Sequence, residues 1–135
     1  MEIFERDGKI NFVDENNVVL GYDNRQDCCE HANYYIVDEE PSTVAQDLNE
    51  ASSHPDPSLE GYVFDTKWFK QLDDFYYKDG RHFDSGCLDS GGAVCFRITK
   101  GNEQKFIVLF NCHNGYYGHG FEFKEGNEFL QEGTL

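Results

Sequence analysis

The longest run of apolar residues lies at positions 106–110, where Phe106, Ile107, Val108, Leu109 and Phe110 follow one another without a polar residue. A strand with one solvated face would alternate polar and apolar side chains, so an unbroken run predicts a strand that is covered on both faces. A second apolar stretch precedes it at residues 93–99, and turn residues separate the two. The two stretches are therefore predicted to form an antiparallel hairpin.

Shorter apolar stretches, several of them alternating with polar residues, surround this hairpin. Further strands are predicted over residues 2–6, 9–14, 18–22, 34–37, 61–65 and 121–125. Turn signals at Asp7-Gly8 and Gly126-Asn127 support this pattern, which is typical of short antiparallel strands. The segment 81–92 is rich in Gly and Ser and is predicted to be a mobile loop, and a short tail is expected after Gly126-Asn127.

A short helix is predicted between the early strands. Asn24 is a favourable N-cap, and Asp27 would follow at N3, where a carboxylate suits the helix dipole. A helix of about two turns is therefore expected over residues 24–32. In that helix Cys28 and His31 would share one face, because they are three residues apart.

Two later segments bear on the predicted fold class. Thr43 and Gln46 match a capping box, so a second short helix is expected over residues 43–51. Residues 68–77 carry aromatic residues at helical spacing, but aromatic residues also favour strands, so this segment stays open between helix and strand. We expect an α+β fold in a single domain, residues 1–135, with an antiparallel sheet of about five to seven strands and two or three short helices.

Composition and charge narrow the function classes. The formal net charge of −15 disfavours direct binding to nucleic acid or to an anionic membrane surface, and it favours a basic protein partner. No apolar segment reaches the ~18 residues of a membrane-spanning helix. The charged N-terminal residues do not resemble a secretion signal, so a cytoplasmic location is predicted. Five cysteines, an odd number, make a disulfide framework unlikely in that compartment.

The site is predicted where the central hairpin ends, in a loop that combines glycines with polar and aromatic residues. Such a loop, placed between two strands, is a common location for function, although the same residues could simply stabilise a hairpin turn. The predicted site joins this loop to the cysteine-bearing helix. Its residues are Asp27, Cys28, Cys29, Glu30, His31, Asn111, His113, Asn114, Tyr116, His119 and Glu122.

Three kinds of chemistry fit these residue types. Thiolates and imidazoles are the ligands that zinc prefers, and a zinc site would draw on Cys28, His31, Cys112, His113 and His119. A thiol nucleophile at Cys28 or Cys29 with a histidine base is a second hypothesis. A carboxylate pair such as Glu30 with Glu122 is a third. The leading interpretation, however, is a small acidic binding or regulatory module that uses its exposed aromatic and Asn residues for recognition.

Two motifs also carry a resemblance. Gly21-Tyr22 followed by the segment 26–30 (QDCCE), and then the segment 109–122 (LFNCHNGYYGHGFE), resemble a family of small bacterial and phage proteins without an assigned activity. The resemblance covers most of the chain and implies a bacterial or phage source. It also implies a shared site, and by analogy an inhibitor of a host defence enzyme. The residues of that implied site are Asp27, Cys28, Cys29, Glu30, His113, Asn114 and His119.

Overall fold

The structure, a computed structural model, describes residues 1–25, 30–41, 56–72, 90–113 and 118–135, with the backbone alone at 30–31, 90–91 and 112–113. These residues form nine strands and no helix. The strands are β1 (Glu2–Arg6), β2 (Lys9–Val13), β3 (Val18–Asp23), β4 (Glu30–Val37), β5 (Val63–Leu72), β6 (Ser90–Lys100), β7 (Glu103–His113), β8 (Gly120–Glu125) and β9 (Glu128–Thr134). No helix in the described part of the chain is long and apolar enough to cross a membrane.

The strands form two antiparallel sheets that pack face to face. The five-stranded sheet has the order β1-β2-β3-β8-β9, and the four-stranded sheet has the order β4-β7-β6-β5. Phenylalanine rings join them in the centre: the Phe96 ring lies 4.9 Å from Phe123 and 6.0 Å from Phe121, and Phe64 lies 5.1 Å from Phe123. Full burial of each such ring is worth roughly 1.5–3 kcal/mol, so this aromatic layer is a main source of stability.

The central hairpin is confirmed. β6 and β7 pair along their whole length from Ser90↔His113 to Lys100↔Glu103. The residues between them form a turn in which Gly101 has a φ of 59°, a conformation that suits glycine. The unbroken apolar run in β7 is buried on both faces. Ile107 and Leu109 belong to the core between the sheets, whereas Phe106, Val108 and Phe110 belong to a second buried cluster on the other face.

The predicted α+β class is wrong, because the described residues form an all-β sandwich. The helix expected over residues 24–32 is absent where the structure describes this segment. β4 begins at Glu30, so His31 lies in a strand, and β4 pairs with β7 from Glu30↔His113 to Val37↔Phe106. The hydrogen bonds of this long ladder outweigh the local capping signal at Asn24, since helix propensity is a weak prior. The helix expected over 43–51 lies outside the described residues.

Three other boundaries are corrected. Residues 90–92 were expected in a loop, but they begin β6, where β7 supplies their pairing partners. The tail expected after Gly126-Asn127 is instead the strand β9, paired with β8. Residues 68–72 belong to β5, which leaves only 73–77 of the ambiguous segment outside the described residues. In each case pairing with a neighbouring strand of the sheet determines the conformation. That strand is either distant in the sequence or paired across a register shift.

The two ends of the sandwich differ. At one end, which we call the turn end, tight turns connect β2 to β3, β6 to β7 and β8 to β9, and the sequence segment 38–62 between β4 and β5 also starts and finishes there. At the other, which we call the connection end, β3, β5 and β7 stop and β4, β6 and β8 begin. The sequence segments 24–29, 73–89 and 114–119 therefore all start and finish at the connection end. The end of a rigid sandwich at which several strands stop and begin is a frequent location for binding sites.

Candidate functional site

The strand register brings the two predicted site segments to the same end of the sandwich. Glu30 lies opposite His113, and His31 lies opposite Cys112, as partners across β4 and β7. Ser90 lies opposite His113 on the other side of β7, so positions 30, 113 and 90 form one row across three strands. Asp27, Cys28, Cys29, Asn114 and Tyr116 lie outside the described residues.

Asn111 and His119 are buried between the sheets at this end, with 0% and 5% of their surface exposed. The backbone N–H of His119 donates to the Leu135 backbone oxygen at 2.9 Å, and the Leu135 N–H donates to the His119 carbonyl at 2.8 Å. The Asn111 side-chain amide donates to the same Leu135 oxygen at 3.1 Å. The two predicted site residues are therefore joined through the end of the β9 segment, which links the two sheets.

The His119 ring is held against the end of β3. Its Nδ1 atom lies 2.7 Å from the backbone oxygen of Asp23 and 3.6 Å from the Asp23 carboxylate. A carbonyl oxygen can only accept, so Nδ1 must carry the proton and donate it. In the neutral imidazole this assigns the lone pair to Nε2, the arrangement found in many histidine ligands and bases.

Asp23 connects this buried histidine to the surface. Its carboxylate accepts hydrogen bonds from Arg25 Nε at 3.0 Å and from Arg25 Nη2 at 2.7 Å. The hydrogen bond from the Arg25 side chain is the main reason why the pKa of Asp23 is lowered from its ordinary value. The carboxylate is therefore ionised at neutral pH. The same carboxylate lines a groove on the outer face of the five-stranded sheet.

This groove has a volume of about 490 Å³ and crosses β2, β3, β8 and β9 at the connection end. It exists because Gly120 has no side chain: a Cβ atom built there would meet only the Gly133 carbonyl oxygen, at 3.8 Å. The strands on either side do carry side chains, and these form its walls. The residues that line it are Lys9, Asp23, Gly120, Phe121, Glu122, Glu132, Gly133 and Thr134.

Two carboxylates in the groove are directly opposed. Glu122 of β8 and Glu132 of β9 are cross-strand partners. Because His119 and Leu135 form a hydrogen-bonded pair, alternation along the ladder makes Glu122–Glu132 a non-hydrogen-bonded pair, in which side chains lie closest. Lys9 Nζ lies 3.9 Å and Lys124 Nζ 3.7 Å from the Glu122 carboxylate, whereas Glu132 makes no ion pair in the described part of the chain. Opposed like charges destabilise a sheet. The two lysines offset this repulsion at Glu122, so Glu132 is the member of the pair that favours a cationic ligand.

Sequence reasoning placed Glu122 in the site but missed Asp23, Lys9 and Glu132. The predicted strand ended at residue 22, one position before Asp23, and Glu132 fell in the predicted short tail. The signal that could have found Glu132 is the Gly126-Asn127 turn, because a tight turn after one strand predicts a returning strand. The carboxylate pair proposed from the sequence, Glu30 with Glu122, stays a prediction: Glu122 lies opposite Glu132, and Glu30 lies in β4 of the other sheet.

Metal binding is not supported by the side chains that the structure describes, since no group of three or more His, Cys, Asp and Glu residues among them could hold an ion. A comparison of the chain with protein-family models, curated proteins and solved structures finds no match. The resemblance to bacterial and phage proteins stays a prediction, and the function has to be inferred from the geometry of this groove and of the connection end.

Proposed function

We propose that this chain is a small acidic binding module that holds a basic segment of a partner protein in the groove of the five-stranded sheet. The observation that carries this proposal is the directly opposed pair Glu122–Glu132 in a groove open above Gly120. A Lys or Arg side chain placed between the two carboxylates would remove their repulsion. Electrostatic complementarity of this kind directs partner choice and speeds association.

The rest of the chain supports a basic partner. The net charge of −15 attracts cationic proteins and repels nucleic acid. The sequence segment 73–89, which starts and finishes at the connection end, combines aspartates with aromatic residues, a composition that suits Lys and Arg through ion pairs and cation–π contacts. Its acidic and aromatic members are Asp73, Asp74, Phe75, Tyr76, Tyr77, Asp79, Phe83, Asp84 and Asp89.

The proposal is tested with a probe peptide of eight residues that alternates Lys and Thr, titrated into ¹⁵N-labelled protein. We expect shifts of the amide resonances of Gly120, Glu122, Glu132 and Thr134, and an affinity that falls as salt is added. A peptide of the same length that alternates Glu and Thr is the control for peptide length and backbone. Binding of both peptides alike, or of neither, would contradict the proposal.

A matched pair of variants distinguishes the effect of the two groove carboxylates from the effect of the total negative charge. The double variant Glu122→Gln/Glu132→Gln removes the groove carboxylates, whereas Glu125→Gln/Glu128→Gln removes another directly opposed pair on the same strands but at the turn end. Both variants change the net charge equally. We expect the first to weaken the Lys–Thr peptide about tenfold or more and the second less than about twofold, since tenfold corresponds to about 1.4 kcal/mol. Equal losses would show that only the total charge matters.

A third variant tests the cavity itself without a change in charge. Gly120→Val would place a branched side chain in the groove, and the space around this position accepts a Cβ atom in ordinary contact with the Gly133 carbonyl. We expect the folded variant, checked by its unfolding midpoint, to lose most of the peptide affinity. Unchanged affinity would place the binding site elsewhere on the acidic surface.

The register at the connection end favours a second candidate function, a metal or thiol site. The register places His31 opposite Cys112, an imidazole–thiol pair, and Glu30 opposite His113, a carboxylate–imidazole pair, on successive rungs that belong to opposite faces of the sheet. Elemental analysis of protein purified without added metal is the test. About one zinc per chain, lost in Cys112→Ser and kept in Cys95→Ser, would support a metal site.

The control is sound because Cys95 is buried and burial raises the pKa of its thiol to about 12, which makes it a poor ligand and a poor nucleophile. For a thiol enzyme, iodoacetamide should label Cys28, Cys29 or Cys112 rapidly while Cys95 stays unmodified. A folded protein that contains no metal and has no rapidly labelled thiol would remove this second candidate.

A further inference from the structure

The edge of the five-stranded sheet at β9 is open. In the order β1-β2-β3-β8-β9, β9 pairs with β8 on one side and has no strand on the other among the described residues. Six of its seven residues are exposed, and the Phe129 ring is 52% exposed. An open edge presents unpaired backbone N–H and C=O groups, to which another extended chain can add as a strand.

The hydrogen-bond pattern shows which backbone groups face this edge. His119 and Leu135 exchange both backbone hydrogen bonds, so they form a hydrogen-bonded pair. The ladder runs without a register shift from Gly120↔Thr134 to Phe123↔Gln131. Since pair types alternate along an antiparallel ladder, the N–H and C=O groups of Thr134 and Glu132 point away from β8 and towards the open edge.

These two residues also line the groove. The groove and the open edge are thus adjacent parts of one surface. We propose that the basic segment binds as an extended strand along β9, with its backbone bonded to Glu132 and Thr134 and every second side chain directed to the groove. This inference rests on the proposed function and names the way in which the partner is held.

The charges along β9 indicate that a basic strand, rather than a second copy of β9, would bind at this edge. The charged residues of β9 are Glu128 and Glu132, and the strand contains neither Lys nor Pro, the residues that commonly protect an edge. A second copy of β9 would place glutamates beside glutamates, whereas a basic strand would place Lys or Arg beside Glu132. A strand directly opposite is close enough for such a pair to interact.

The other edge of this sheet, β1, is a weaker candidate. Its charges are mixed, because Arg6 accompanies Glu2 and Glu5, and Arg6 pairs with Asp7. It also lies outside the residues that line the groove. A basic strand at β1 would therefore gain less from ion pairing, and it would have no cavity for its side chains.

Hydrogen exchange in the free and bound protein tests the strand addition with internal controls. The amides of Glu132 and Thr134 should exchange rapidly in the free protein and slow by about tenfold or more when the Lys–Thr peptide binds, since a tenfold change is about 1.4 kcal/mol. The amides of Gly133 and Leu135 are already bonded within the sheet and should change little. Unchanged exchange at Glu132 and Thr134 in the saturated complex would overturn the inference.

A scan of N-methyl groups along the peptide gives an independent readout. If the peptide adds as a strand, N-methylation should weaken binding at every second residue, about tenfold or more, and be tolerated within about twofold at the residues between. A peptide that binds and shifts the groove resonances but shows no such alternation would overturn strand addition while leaving the proposed function intact. A peptide that does not bind at all would remove both.

Discussion

Both ends of the sandwich bury polar side chains that join the two sheets, but they use them differently. At the turn end, Asp14 is 6% exposed and its carboxylate accepts only backbone N–H groups: Asn16 and Val18 at 2.9 Å and Phe64 at 2.8 Å. Asp14 thus fastens the β2–β3 turn to β5 in the opposite sheet. A buried carboxylate with its partners in a tight turn and a strand has a structural role.

At the connection end, the buried polar residues bind the last part of β9 instead. Asn111 and His119 both contact Leu135, and His119 also contacts Asp23 at the rim of the groove. The strand that they anchor is the one whose outer edge and groove we assign to binding. The buried polar group at the turn end therefore joins a turn to a strand of the opposite sheet, whereas those at the connection end hold the strand that we propose binds a partner.

The largest expected effect follows from Asp14→Ala. This change leaves the N–H groups of Val18 and Phe64 buried without an acceptor, and each unsatisfied buried donor costs about 1–3 kcal/mol. We expect a loss of roughly 3–5 kcal/mol in the free energy of unfolding, measured by urea titration.

Asp14→Asn is the matched control. Its side-chain oxygen can still accept from Asn16 and Val18, but its NH₂ group cannot accept from Phe64. We expect about half of the loss seen for alanine. A loss below about 1 kcal/mol for Asp14→Ala would mean that this carboxylate does not fasten the two sheets.

A smaller effect is expected from Asn111→Leu at the connection end. The substitution keeps the number and branching of the side-chain heavy atoms but removes the hydrogen bond to the Leu135 oxygen, which still accepts from His119. We expect a loss of about 1–2 kcal/mol, together with faster hydrogen exchange at the Leu135 amide and unchanged exchange at Phe64. A global loss as large as that of Asp14→Ala would abolish the distinction between the two ends.

The same distinction explains which parts of the fold could be predicted. The β6–β7 hairpin follows from local signals, an apolar run beside a glycine turn, and both the pairing and the two-sided burial are confirmed. The end of β4 was predicted as a strand over residues 34–37, but its start, residues 30–32, was assigned to a helix, because the start depends on pairing with β7, about eighty positions away in the sequence. Long-range pairing outweighed a local capping pattern.

β9 was missed for a different reason. A register shift between Phe123 and Lys124 leaves Leu130 as an extra residue on β9, and this breaks the alternation that would mark the strand. The groove could not be predicted without that strand, since Glu132 reaches Glu122 only through the β8–β9 register. Glu122 itself was proposed from its residue type and its proximity to the polar loop.

The smallest expected effects come from two Asp–Arg pairs. One joins the neighbouring strands β5 and β6, and the other joins two residues close in sequence. Asp65 in β5 accepts from Arg97 Nε at 3.1 Å and also from Arg97 Nη2, and these side chains are 25% and 32% exposed. Asp23 binds Arg25 only two residues away, and the Arg25 side chain is 71% exposed. In each pair the hydrogen bond from the arginine lowers the pKa of the aspartate from its ordinary value.

A lowered pKa means that each ionised aspartate stabilises the folded state above the unfolded pKa of about 3.9, and that this contribution is lost as the pH falls through the folded pKa. At pH 7 we expect Asp65→Asn to cost about 1 kcal/mol, because a partly buried, charged hydrogen bond between two strands is removed. Asp23→Asn should cost less than about 0.5 kcal/mol, because water screens the exposed local pair. Urea titrations from pH 7 to pH 2 should show both differences vanishing at the acidic end. A cost for Asp65→Asn that stays constant with pH would show that the carboxylate charge is not what stabilises the β5–β6 pairing.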